Sequence, residues 1–144
     1  MDIASTLTFR LHALVYTLDT IADSVITRQS PINFSQFLVL LSVYQHSGAT
    51  QKHIASWLHT TEATVSYTVS KLVGAGLLIA APSPQDGRKN SLTLTDDGQA
   101  LVQRLYTQLD QAIKPLFATL PKTRLKRLDR DIEMLVGVLN NHSS

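Results

Sequence analysis

Along the first thirty positions, Leu7, Leu11, Leu14, Val15, Leu18, Ile21, Ala22 and Val25 recur every three or four residues. That spacing lines one face of a helix and predicts one over about residues 3–27. Ser30-Pro31 ends it, because the residue before a proline is pushed out of the helical region. The next start is fully signalled. Asn33 can cap, Gln36 completes a capping box, and Ile32 with Phe37 forms a hydrophobic staple. This second helix should reach about His46, with Gly48 at its stop. Thr50 then caps a short helix holding Ile54, Ala55 and Leu58. After a break at His59-Thr60, Thr61 caps another, whose buried stripe is expected to be Val65, Val69, Leu72 and Val73, ending at Gly76. Glu62 lies in its first turn, where the helix dipole favours a negative charge. Four helices are thus expected before any strand.

The period then changes. Leu77-Leu78-Ile79-Ala80 is a short apolar strand candidate, and Ser91-Leu92-Thr93-Leu94 alternates as a half-buried strand does. Between them Pro82-Ser83-Pro84-Gln85-Asp86-Gly87-Arg88 is turn chemistry, with Asp-Gly a strong hairpin cue. Thr95 caps a further helix with Asp96 and Asp97 in its first turn and Leu101, Leu105, Leu109, Ala112, Ile113 and Leu116 as its stripe. Pro115 is expected to kink or break it near Lys114. Pro121 opens a last helix with Leu125, Leu128, Ile132, Leu135, Val136 and Leu139 on one face. The pattern is mainly α with a small β element. It shows no internal repeat, low-complexity segment or linker.

Composition narrows the class. With 144 residues, 44% of them hydrophobic and 17% charged, the chain fits one globular domain rather than bulk disorder. The absence of cysteine excludes disulfide frameworks, thiolate zinc sites and cysteine nucleophiles. The N-terminal helix mixes Asp2, Arg10, His12 and Asp19 into its apolar residues, which is not a signal-peptide pattern. The least interrupted apolar stretch, Phe37 to Val43, is too short to span a bilayer. A soluble, cytoplasmic protein without a membrane partner is expected. The net charge of +2 and the pI near 9.0 are compatible with a nucleic-acid partner without requiring one. No GxSxG, phosphate loop, paired carboxylates or HExxH is present, so enzymatic activity is not expected. His46, His53 and His59 lack a thiolate or carboxylate cluster beside them. They read as surface or capping residues, and neither a metal nor a cofactor is expected.

Two short helices around a tight turn, followed by a β-hairpin, form a winged helix-turn-helix, a unit whose physical use is reading DNA. On the second helix Thr64, Ser66, Tyr67, Ser70 and Lys71 are left outward, a set suited to base edges, thymine methyls and phosphates. Gln51 and Lys52 open the preceding helix, where free backbone N–H groups could meet a phosphate. With Thr61, Asp86, Arg88 and Lys89 these complete the expected DNA-binding set.

The same residues resemble a known family. Thr50-Gln51-Lys52-His53-Ile54-Ala55 is similar to the first helix of the helix-turn-helix in MarR-type transcriptional regulators. Thr61-Glu62-Ala63-Thr64-Val65-Ser66, then Leu72 and Gly76-Leu77-Leu78, resembles their recognition helix and its exit into the sheet. Asp86-Gly87-Arg88 matches the D-x-R wing, and Leu92-Thr93-Leu94-Thr95-Asp96-Asp97-Gly98 contains the L-T-x-x-G entry to the next helix. Ile32-Asn33, Gln36 and Leu40 resemble the family's second helix. The detailed match covers about residues 50–98.

The resemblance implies one domain over residues 1–144, with a winged helix-turn-helix lobe at 32–95 and dimerisation helices at 1–30 and 96–144. It implies a homodimeric, ligand-responsive repressor on an inverted-repeat operator in double-stranded DNA. It also implies that Arg88 enters the minor groove, with Asp86 orienting its guanidinium. Family effectors sit between the dimerisation helices and the DNA-binding lobe. His12 and Tyr16, four apart on the first helix, with Tyr44 and Trp57 opposite, would suit a small planar or anionic ligand.

The chain also departs from the family. Tyr67 stands where many relatives carry a basic residue, and residues 50–95 hold four basic side chains against two acidic ones. That weak charge gives the competing reading, a winged-helix module that binds proteins without specific DNA binding. The densest basic run, Lys122, Arg124, Lys126, Arg127 and Arg130, falls in the last helix and reads as a solvated face.

Overall fold

The computed structural model describes residues 2–142, so Met1, Ser143 and Ser144 at the ends of the expected domain lie outside the described residues. The helix signals become real caps. Asp2 Oδ1 accepts from the Ser5 N–H and hydroxyl, both at 2.8 Å, opening α1 (Ile3–Gln29). These bonds hold the Asp2 carboxyl below its usual range. Asn33 and Gln36 form the full capping box of α2 (Phe34–Gln45), each side chain taking the other's backbone N–H at 2.9 Å. Ile32 and Phe37, the expected staple, are both buried.

One strand precedes α3, which corrects the expectation of four helices before any strand. Gly48, at φ +85°, turns the chain so that its N–H donates to the Leu92 carbonyl at 2.8 Å. Ala49 and Thr50 then form β1 (Ala49–Thr50) along the later hairpin. A two-residue strand has no periodicity to betray it in sequence. Helices α3 (Gln51–Trp57) and α4 (Glu62–Gly74) follow, then β2 (Leu78–Pro82) and β3 (Asn90–Leu94). The antiparallel sheet has the order β1-β3-β2, with Leu78 opposite Leu94, Ala80 opposite Leu92 and Pro82 opposite Asn90. The hairpin β2–β3 is the expected wing, and Leu92 at its middle strand is fully buried.

The chain divides after Leu109 into two compact units. In the first, Ile26, Phe37, Leu40, Ile54, Val65, Leu72, Leu78, Leu92, Val102 and Leu105 make a single core that fixes α3, α4 and the wing. Val73 is not in it: this expected stripe residue is 40% exposed, on the far side of Leu72. On α1 only Ala22 and Ile26 are buried, while Leu7, Leu11, Leu14, Val15 and Ile21 face outward.

Helix α5 (Asp96–Phe117) starts on Thr95, whose Oγ1 accepts from the Gly98 N–H at 3.0 Å. Of the kink or break expected near Lys114, the break does not occur, and α5 runs through Pro115. Three residues from the helix end the proline forfeits one helical bond, and the Ala118 N–H still reaches the Lys114 carbonyl at 2.9 Å. The second unit holds the end of α5 and helix α6 (Lys122–His142). From Asp110 to Asn141 no residue is buried among those described.

Candidate nucleic-acid interface

The turn between α3 and α4 is built by a left-handed residue. His59 has φ 51°; its N–H reaches the Ser56 carbonyl at 3.3 Å and the Thr60 N–H reaches Ala55 at 3.0 Å. That pair of bonds is a Schellman cap. Gly76, at φ +73°, closes α4 in the same way through Val73 and Leu72. Each helix then opens on a threonine. Thr50 Oγ1 accepts from the His53 N–H at 3.3 Å and lies 3.2 Å from His53 Nδ1. Thr61 Oγ1 accepts from the Thr64 N–H at 3.1 Å and pairs with the Thr64 hydroxyl at 2.9 Å. Helix α4 is thereby held on its buried Val65, Val69 and Leu72, with Thr61, Thr64, Ser66, Tyr67, Ser70 and Lys71 exposed. Tyr67 is 65% exposed and carries the Lys71 ammonium 4.5 Å above its ring, a cation–π pair that orders both ends of this face.

The wing loop is shaped from within. Asp86 Oδ1 accepts from the Arg88 backbone N–H at 3.0 Å, the Lys89 N–H reaches the Asp86 carbonyl at 3.0 Å, and the Ser83 N–H reaches Lys89 at 2.7 Å. The Asp86 carboxylate turns the backbone beneath Arg88, and among the described residues no hydrogen bond joins it to the guanidinium.

Between the openings of α3 and α4 and the loop end of the wing lies a polar cleft of about 400 Å³, lined by Thr50, Gln51, Lys52, Glu62, Arg88, Lys89 and Asn90. Three cations share it with one carboxylate, and among the described residues none is paired with another. Such a cleft favours an anion threaded past exposed N–H groups. Of the expected set, the fold brings Gln51, Lys52, Arg88 and Lys89 together here. It places Thr61, Thr64, Ser66, Tyr67, Ser70 and Lys71 on adjoining α4, and Asp86 in the wing turn. Thr50, Glu62 and Asn90 were missed. The first two were absorbed by their capping and helix-start roles, and Asn90 carries no local motif.

The residues expected around a ligand are not joined. Trp57 meets His46 in a tilted contact, with ring centroids 4.2 Å apart, and stacks with His53 at 6.0 Å. The Tyr44 hydroxyl accepts from Gln103 Nε2 at 3.4 Å. His12 and Tyr16 are exposed on α1, and no ring contact or hydrogen bond links them to Tyr44 or Trp57 among the described residues. The described residues contain no group of three or more His, Asp or Glu able to hold a metal ion, and no helix long and apolar enough to cross a membrane.

The MarR family model matches residues 30–89. No curated protein matches the chain in sequence. Among solved structures, a mutant MarR from E. coli complexed with operator DNA is 19% identical with a TM-score of 0.81, over 94% of this chain and 99% of that one. The MepR–DNA complex of S. aureus is 22% identical with a TM-score of 0.80, over 91% and 96%. CouR from Rhodococcus jostii, bound to p-coumaroyl-CoA, is 16% identical with a TM-score of 0.83, over 94% of each chain. At these identities the likeness is one of fold. Residues 30–89 match the MarR family model, and the chain has the winged-helix fold of these solved structures.

Proposed function

We propose that this chain is a sequence-specific DNA-binding transcriptional regulator, a ligand-responsive repressor that works as a homodimer on an inverted-repeat operator. The polar cleft beside the exposed hydroxyl face of α4 carries the reading. Lys52, Arg88 and Lys89 supply phosphate and minor-groove contacts, while Ser66 and Tyr67 offer short polar and aromatic groups to base edges. The complexes of MarR and MepR with DNA support it by analogy of fold.

Dimerisation is supported by the apolar side chains left in water. On α1 Leu7 and Val15 are 50% and 53% exposed, and on α6 Leu135 and Leu139 are 53% and 66% exposed. Runs of this kind at helical spacing mark an interface. Two subunits would set their recognition helices about one DNA turn apart, roughly 34 Å. Response to a small planar or anionic effector is supported by CouR and its bound p-coumaroyl-CoA, with His12, Tyr16, Tyr44 and Trp57 as the candidate ligand residues. An effector that favours the wrong spacing by about 3 kcal/mol would weaken operator binding over a hundredfold.

The test is a mobility shift with genomic fragments across a salt series. If the three cleft cations of each protomer neutralise one phosphate each, log K falls against log salt with a slope of about −5. Binding that ignores salt would refute the reading and favour a protein-interaction module. Sedimentation equilibrium tests the dimer, and a monomer at micromolar concentration would overturn it.

A further inference from the structure

Glu62 is an awkward residue for a surface that meets DNA. It is exposed at the first helical position of α4, on the wall of the cleft that holds Lys52, Arg88 and Lys89. A carboxylate facing phosphates is repelled, so its neighbourhood and its target must both compensate. The three cations do the first. They hold the local potential positive, and since none is paired with Glu62 in the described residues, its oxygens remain free to accept.

Building on the DNA-binding reading above, we propose that Glu62 is a specificity-determining residue that accepts a hydrogen bond from the exocyclic amino group of a cytosine in each half-site. The first residues of a recognition helix are the ones that reach base edges. In the major groove guanine offers O6 and N7 and thymine offers O4, all acceptors that repel a carboxylate. Adenine offers an amino donor, but its N7 acceptor lies beside it. Cytosine carries no major-groove acceptor of its own, and its N4 amino group has an acceptor on one side only, the O6 of the paired guanine, whereas the adenine amino group lies between N7 and the thymine O4. Lys52, Arg88 and Lys89 secure the flanking backbone, so the carboxylate acts mainly by exclusion. It adds little affinity for the right base and removes much for the wrong three.

The experiment is selection from a randomised duplex pool with wild-type protein and with Glu62→Gln and Glu62→Ala, followed by titration of the selected duplexes at two salt concentrations. Wild type should require C·G at one position per half-site, with about 5- to 100-fold weaker binding for other pairs. Glu62→Gln should move that position toward A·T, since an amide matches the adjacent amino and N7 groups of adenine. Glu62→Ala should lose the preference there and keep the rest of the site, while binding unselected DNA as tightly as wild type or tighter. Unchanged far-ultraviolet circular dichroism shows that the variants fold. If all three proteins select the same base at every position, the role of Glu62 is refuted while DNA binding stands. If wild type enriches no sequence and binds without salt dependence, the DNA-binding reading fails and this inference falls with it.

Discussion

Gly98→Ala should be far more damaging than a single methyl suggests. A Cβ at Gly98 would run into the Leu77 carbonyl oxygen and come within 3.0 Å of its carbon. That carbonyl is already engaged, accepting from the Thr95 N–H at 3.2 Å. The Thr95 hydroxyl donates to the Gly76 carbonyl at 2.7 Å and its oxygen accepts from the Gly98 N–H at 3.0 Å. To admit the methyl, the start of α5 must lift from the backbone leading into β2, stretching the Thr95 bonds to Leu77 and Gly76. Each contributes about 1 kcal/mol. Overpacking against a rigid peptide adds about 1–3 kcal/mol, and the better helix propensity of alanine returns at most about 1 kcal/mol. The net loss is about 2–4 kcal/mol, or about 5–15 °C in Tm for a chain of this size. Thermal unfolding followed by circular dichroism at fixed protein concentration measures it. Gly74→Ala is the contrasting control: nothing lies within 4 Å of the added Cβ, and the last turn of α4 gains propensity, so its Tm should rise. A Gly98→Ala Tm equal to that of wild type would refute the close-approach argument.

Further outcomes follow from the wing and the helix-turn-helix. Asp86→Asn keeps an acceptor for the Arg88 N–H and removes a charge beside DNA, so it should bind DNA at least as tightly as wild type. Asp86→Ala loses the acceptor and should bind about three- to tenfold more weakly; equal weakening of both in a mobility shift would mean that the charge matters rather than the turn. Arg88→Ala should cost about 1–3 kcal/mol in operator binding and Arg88→Lys should recover only part, because an ammonium cannot copy the planar fork. Full recovery by lysine in a binding titration would reduce Arg88 to a point charge. His59→Gly relieves a left-handed φ of 51° and should raise stability by about 0.5–1 kcal/mol in denaturant unfolding; a loss would show that the histidine ring contributes more than its backbone costs.

Local signals wrote most of the scaffold. Asn33 with Gln36, Thr50, Thr61 and Thr95 are caps because a short side-chain acceptor two or three residues before free N–H groups needs no tertiary partner. The alternation through Leu92 and Leu94 and the Asp86-Gly87 turn likewise disclosed the wing, since pleat and turn chemistry repeat over a few residues. What the sequence could not decide was decided by contacts distant along the chain. Strand β1 exists because the Gly48 N–H finds Leu92, and Gly98 is needed because α5 lands on Leu77. Val73 is exposed although its spacing fits the stripe, because the core supplies cover for Leu72 and not for its neighbour. The cleft is the clearest case. Lys52, Glu62 and Arg88 carry no joint signal at their spacings in sequence, and only the packing of α3, α4 and the wing on one core brings their charges into a common space.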